Sequence, residues 1–373
     1  MTHWVTAWAM AHTDAASFAL SLGGRTSQAE LYCPIGGDQV RIKLSNRYGS
    51  VAIRISTASV WTGNRGCPLT FDGQTSVSVL PGQELRSDGA KFSIPAGSQV
   101  CIRLYFDEGQ TAASGNALIS GQHSIPGDYT GSAQFSVDSE DIWTHTQRLF
   151  PLTEPVMLLS ALEVSNDNAC AVAVLGDSNT FNGFYTKPLA ELLGQRSIAL
   201  LNLGISGNRL MHDSSAADLG RIFGQAAQTR IEWDVFDLCG LETVILAVGG
   251  NDIFQPGTFA APIEQLCTIQ QLWDATVQLS ERCQAHKLDV IGSTLVPFGG
   301  ADAVTAEKLD IRRQYNQLVR QSGQFQTILD FNEFLRDPAQ PDRYLPSYDS
   351  GDHLHFNPAA GTHVAKCAVG LFK

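Results

Sequence analysis

Two kinds of hydrophobic pattern divide this chain. Before about residue 165, apolar positions recur every second residue. Val40, Ile42 and Leu44 alternate with Arg41, Lys43 and Ser45, and Val100, Ile102, Leu104 and Phe106 alternate with Cys101, Arg103 and Tyr105. A period of two predicts half-buried antiparallel strands. Turn-forming groups separate the runs: Ile35-Gly36-Gly37-Asp38, Phe71-Asp72-Gly73, Leu80-Pro81-Gly82 and Pro95-Ala96-Gly97. Short strands with frequent turns predict a β-sandwich.

The pattern changes after the polar stretch Ser165-Asn166-Asp167-Asn168-Ala169, which predicts a boundary between a domain 1–165 and a domain 166–373. Continuous apolar runs then appear at Ala171 to Leu175, Ile198 to Leu201, Leu241 to Val248 and Leu288 to Leu295. Between and after them, Ile263 to His286 and Thr305 to Gln321 carry apolar residues at helical spacing, for example Leu309, Tyr315, Leu318 and Val319. Buried strands alternating with helices predict an α/β domain, a parallel sheet with helices on both faces. Ligands of such sheets sit beyond the carboxyl ends of the strands, so chemistry is expected there.

Composition narrows the classes. Hydrophobic residues make up 43% and charged residues 17%, as in a globular protein, and 373 residues exceed what one core usually organises. With 25 basic and 37 acidic residues the net charge is −12 and no basic run stands out, which argues against a nucleic-acid partner. No stretch approaches the roughly 18 apolar residues that span a bilayer, so no membrane partner is expected. The N-terminal Met-Thr-His-Trp-Val-Thr-Ala-Trp lacks the basic and apolar regions of a signal peptide, and the expected location is the cytoplasm. The eight cysteines are widely spaced without a C-x-x-C pair and read as free thiols in a reducing compartment.

Four strand ends carry candidate chemistry. Leu175-Gly176-Asp177-Ser178-Asn179-Thr180 holds a serine just past a strand, either as a nucleophile or as the N-cap of an ordinary turn. Asn202-Leu203-Gly204-Ile205-Ser206-Gly207-Asn208-Arg209 is rich in small residues whose backbone N–H groups could donate to an oxyanion. In Ala247-Val248-Gly249-Gly250-Asn251-Asp252, Asn251 offers a side-chain amide to the same place, or caps the next element. In Asp349-Ser350-Gly351-Asp352-His353-Leu354-His355, Asp352 can orient the ring of His355 towards a serine. The alternative there is a metal site built from His353 and His355, for which no Cys or Glu partner has suitable spacing.

Together these blocks resemble the signature of the SGNH, or GDSL-type, hydrolase family. The wider chain resembles a two-domain bacterial subgroup of it, through Val40-Arg41-Ile42-Lys43-Leu44-Ser45-Asn46 and the last block. The resemblance implies a flavodoxin-like α/β hydrolase domain preceded by an all-β, jelly-roll-like sandwich. It also implies a serine esterase with Ser178 as nucleophile, His355 as base and Asp352 as acid, and an oxyanion hole formed by Ser178, Gly207 and Asn251. No cofactor or metal is expected. Asp177 is expected to hold the loop. Asn179 stands where the family usually has Leu or Ile, Phe356 where Pro is common, and Phe184-Tyr185-Thr186-Lys187-Pro188-Leu189 lacks the Trp-Pro often found in the subgroup. Asn179, Phe184 and Tyr185 are expected near the acyl pocket, and Arg209 is a candidate for binding a polar part of the substrate. The implied substrate is a small-molecule or carbohydrate ester, with a short acyl group such as acetyl. An acyltransferase using the same acyl-enzyme, and a non-catalytic carbohydrate-binding protein, are the alternatives. The oligomeric state is not legible.

Overall fold

The computed structural model describes residues 2–16, 20–138, 155–214 and 220–372. The chain divides into two units, Met1–Ala169 and Cys170–Lys373.

The first unit is antiparallel β. Its larger sheet orders the strands Gln122–His123, Arg25–Cys33, Ser98–Phe106, Ile53–Thr62 and Arg65–Leu69, with Val77–Val79 also paired to Ile53–Thr62. A second sheet orders Trp4–Ala9, Leu159–Ser165, Val40–Ser45 and Glu84–Arg86. Val40, Ile42 and Leu44 are fully buried, as are Val100 and Phe106. The opposite face departs from the alternation, because Lys43 and Ser45 are buried as well. Lys43 Nζ lies 3.1 Å from Glu84 Oε2, and the buried Glu163 carboxylate pairs with both Arg41 and Arg86. A period of two separates the faces of a strand, but it does not distinguish a solvated cation from one covered and paired.

The second unit is built on a five-stranded parallel sheet. Its strands lie in the order Ile198–Gly204, Cys170–Gly176, Leu241–Ala247, Asp289–Ser293 and Thr327–Leu329. In chain order this is 2-1-3-4-5, the flavodoxin-like doubly wound arrangement. Val172, Val174, Ile245 and Leu329 pack with the helices Thr186–Gly194 and Pro358–Ala368. Ala171, Ala173 and Leu175 point the other way and are equally buried, on the side of the helices Ala227–Asp234 and Ile269–Ala285. Burial on both faces explains why these strands read as continuous apolar runs.

The helix expected over 263–286 begins later, at Ile269, and Ile263–Gln265 forms a separate short turn. Thr268 sets that start through a reciprocal cap. Its Oγ1 accepts the Gln271 N–H at 3.2 Å, and Gln271 Oε1 accepts the Thr268 N–H at 2.8 Å. Among the described residues no helix is long and apolar enough to cross a membrane.

Candidate active site

The strand Cys170–Gly176 turns sharply into the short helix Ser178–Phe181. A Cβ on Gly176 would stand 2.1 Å from Thr180 Oγ1, so only glycine lets the chain fold back over Thr180 here. Asp177 caps the helix, its Oδ1 accepting the Asn179 N–H at 3.0 Å. Burial pushes the Asp177 carboxyl up to about 6, against the pull of that hydrogen bond and of His355. Asp177 therefore holds the turn, and its carboxylate is not the one bonded to the histidine.

Ser178 Oγ lies 2.8 Å from His355 Nε2, and His355 Nδ1 lies 2.6 Å from Asp352 Oδ2. The two carboxylate oxygens of Asp352 divide their work. Oδ2 meets the ring, while Oδ1 accepts the Ser350 hydroxyl at 2.8 Å and the N–H groups of Leu354 and His355 at 2.9 and 2.8 Å. Burial acts to raise this carboxyl, but the bonds from His355 and Leu354 outweigh it and hold it far below the usual carboxylate range. An ionised Asp352 fixes the proton on His355 Nδ1 and leaves Nε2 as the acceptor for the serine hydroxyl. The Ser350 N–H closes the turn on the His355 carbonyl at 3.1 Å. Phe356, at the position where Pro is common in the family, is fully buried against Phe331 and Tyr185 and anchors the histidine loop in the core.

The loop after Ile198–Gly204 brings Gly207 to this end of the sheet with φ +74°, and a Cβ there would stand 2.6 Å from the Phe223 ring. Glycine is required at this position on both counts. Asn251 opens the loop-helix segment after Leu241–Ala247, and its Nδ2 donates to the Asn208 carbonyl at 3.0 Å. That bond fixes the amide plane and leaves a second N–H. Among the described residues no acceptor is bonded to the Ser178 or Gly207 N–H. Backbone donors of this kind, with the Asn251 amide, can receive an oxyanion.

The expected pocket residues separate. Asn179 lines a cavity of about 30 Å³ with Asp177, Gly250, Leu295 and Val296, and its buried Oδ1 has no hydrogen-bond partner among the described residues. Phe184 is partly buried and packs against the core beside the C-terminal helix. Tyr185 is not a substrate contact: it has no exposed surface, its hydroxyl meets Thr180 Oγ1 at 2.9 Å, and its ring lies edge-on to Phe331. Arg209 is likewise turned into the protein. It is 1% exposed, and its Nη atoms donate to Gln265 Oε1 and the Asp213 carbonyl at 2.7 Å. Length and polarity at the tip made both residues look available, but the Tyr185 hydroxyl and the Arg209 Nη atoms are bonded within the domain, while the buried Arg209 Nε has no partner among the described residues.

Other supports were not foreseen. Asp252, next to Asn251, is fully buried and accepts the N–H groups of Leu210 and Met211 at 2.6 and 3.0 Å. Burial raises its carboxyl to about 6 despite those bonds. Gln255 Nε2 holds the Gly207 carbonyl at 2.7 Å. A polar residue close after Asn251 is the one sequence signal for this pair. His353 pairs with Asp349 through Nδ1 and takes a left-handed φ of +60°.

Ser178 stands at the end of a strand in a parallel sheet of order 2-1-3-4-5, while Asp352 and His355 reach it from the loop before the final helix and not from a strand end, an arrangement compatible with serine hydrolase chemistry. Residues 174–361, a little over half of the chain, match the model of the GDSL-like Lipase/Acylhydrolase family, and the chain belongs to that family. It is accordingly a carboxylic ester hydrolase. Among solved structures it is similar to an acetylxylan esterase from Geobacillus stearothermophilus, at 18% identity and TM-score 0.40 over 54% of this chain and 93% of that one. It is similar to a GDSL-like lipase from Bacteroides thetaiotaomicron, at 15% identity and TM-score 0.39 over 54% and 87% of the two chains. An α/β hydrolase from a Lake Arreo metagenome is similar at 19% identity and TM-score 0.40, over 55% and 98%. A search of curated proteins finds no matching relative.

Proposed function

We propose that the chain hydrolyses esters of short acyl groups, such as acetyl on a carbohydrate or other small alcohol, through an acyl-enzyme on Ser178. The observation that carries this reading is the unbroken series from Ser178 Oγ through the His355 ring to Asp352, at 2.8 and 2.6 Å. As Oγ attacks the ester carbonyl, its proton passes to His355 Nε2, and the resulting imidazolium is held by the Asp352 carboxylate. The carbonyl oxygen becomes an oxyanion received by the N–H groups of Ser178 and Gly207 and the Asn251 amide. His355 then protonates the leaving alcohol. Water attacks the acyl-enzyme, giving its proton to the same nitrogen; the bond from Ser178 Oγ to the acyl carbon then breaks, Oγ takes that proton back from His355, and the acid leaves. In this reading the α/β unit carries the chemistry and residues 1–165 form an accessory domain.

The short-acyl preference rests on the family resemblance. A series of p-nitrophenyl esters, run beside acetylated oligosaccharides, tests it. The expected result is the highest kcat/KM for the acetate and a decline of at least about tenfold by the octanoate, since each methylene misfitted in a site is worth roughly 1–3 kcal/mol. A kcat/KM that rises with chain length would overturn the assignment.

Chelation gives a separate check. Both ring nitrogens of His355 and Nδ1 of His353 are engaged with Ser178, Asp352 and Asp349. EDTA is expected to leave turnover unchanged, and a loss restored by added zinc would favour the metal alternative.

A further inference from the structure

We infer that Arg230 is a positioning residue that sets the spacing between the nucleophile turn and the oxyanion loop. The inference rests on the roles proposed above for Ser178 and Gly207. Arg230 lies on the helix Ala227–Asp234, distant in sequence from every motif, and has 0% exposure. Its guanidinium makes three bonds in three directions. Nη2 donates to the Gly176 carbonyl at 3.0 Å, Nε to Asn208 Oδ1 at 3.0 Å, and Nη1 to Asp234 Oδ2 at 2.9 Å.

Each acceptor has a distinct place. Gly176 is the last residue of its strand, two before Ser178, and its carbonyl also accepts the Ile205 N–H at 3.1 Å. Asn208 follows Gly207, and its own carbonyl holds the Asn251 amide. Its Nδ2 is fixed in turn by the carbonyls of Phe223 and Gln225 at 2.9 and 2.8 Å. One rigid fork therefore grips the turn that carries Ser178 and the loop that carries Gly207 and, through the Asn208 backbone, orients Asn251. Asp234 balances the buried charge, so Arg230 is held in place from its own helix. The planar guanidinium suits this task because its donors keep fixed relative directions, which a lysine ammonium does not.

The consequence is specific to the transition state. A small change in spacing leaves room for the substrate but misplaces the donors that meet the oxyanion, and those are needed only once charge has developed. The test compares wild type with Arg230→Lys and Arg230→Met in the full chain, using a p-nitrophenyl acetate assay and the binding of phenylboronic acid as a tetrahedral mimic. Melting temperature and circular dichroism establish that each variant is folded. For Arg230→Met the expected result is a kcat lowered by about 10- to 100-fold, short of the loss of a whole donor, with KM within about threefold of wild type. The boronate Kd should weaken by the same factor as kcat. Arg230→Lys, which keeps the charge beside Asp234 and loses the fork, should fall between the two, and it decides the matter if the methionine variant does not fold. Folded Arg230→Lys with wild-type kcat overturns the inference, as does a lowered kcat with unchanged boronate affinity. Ser178→Ala, run in parallel, separates the failures. If it stays active the underlying site assignment is wrong, whereas an inactive Ser178→Ala beside a fully active Arg230→Lys removes the role of Arg230 alone.

Discussion

Ser178→Ala is expected to lower ester turnover by at least about 10⁴-fold while the protein folds as before. The serine hydroxyl is the atom that would form the acyl bond, and among the described residues no other hydroxyl or thiol is bonded to the His355 ring. Ser178 is partly exposed at the start of a four-residue helix, so removing one oxygen disturbs little packing. The helix keeps its cap, because that bond comes from Asp177. Circular dichroism and thermal melting should match wild type. Residual activity above a few per cent, in protein purified free of other esterases, would show that another group makes the acyl-enzyme.

Asp352→Asn should cost about 10⁴-fold in kcat with a melting temperature close to wild type. The split roles of the two carboxylate oxygens make this substitution informative. An asparagine Oδ1 can still accept the Ser350 hydroxyl and the two backbone N–H groups, so the turn that presents the histidine is preserved. Its Nδ2, standing where Oδ2 stood 2.6 Å from His355 Nδ1, is a donor. The ring must then take up the other tautomer, with the proton on Nε2 facing Ser178, and it can no longer accept the serine's proton. Steady-state kinetics on p-nitrophenyl acetate, beside a thermal melt, reads both quantities. Turnover within tenfold of wild type would mean that Asp352 is a turn residue and the base does without it. An equal collapse of activity and stability would mean that the two oxygens are not separable in this way.

The fold class was legible because both periodicities are local. The alternation marks the apolar face of the strands from Val40 and from Ser98, though not the burial of Lys43 and Arg103 on the other face, and the parallel strands follow the continuous apolar runs. The residues that the structure brings together at Ser178, Asp352 and His355 were legible for a related reason: each sits in a short motif at a strand or loop end. What sequence did not reveal is the scaffolding between motifs. Arg230 bonds Asn208 from 22 residues away, Asp252 bonds Leu210 from 42, and Gln255 bonds Gly207 from 48. No periodicity records which polar side chain turns inward to meet a distant loop. The same limit misplaced Tyr185 and Arg209, whose polar tips suit a pocket or a core equally well until burial is known. It also hid Lys43, whose neighbour Glu84 lies on another strand.

Asp352 and His355, the proposed acid and base, sit three residues apart in a turn closed upon itself, while Ser178, bonded to the His355 ring, lies 177 positions earlier in the chain. The histidine loop is thus a mostly local unit. The bonds that orient its acid and ring run among residues 349 to 355, the Tyr344 hydroxyl donates to the Leu354 carbonyl at 3.0 Å, and Asn357 ties the loop to the final helix by accepting the Ala360 N–H at 3.0 Å. Surface loops that do not touch residues 344 to 357 can therefore be lengthened or traded with little effect on Asp352 and His355, because the bonds that orient this pair come from its own segment. The innovation available to this architecture lies in the intervening loops. Drift in substrate choice can accumulate there while the proton-handling end of the chain stays as it is.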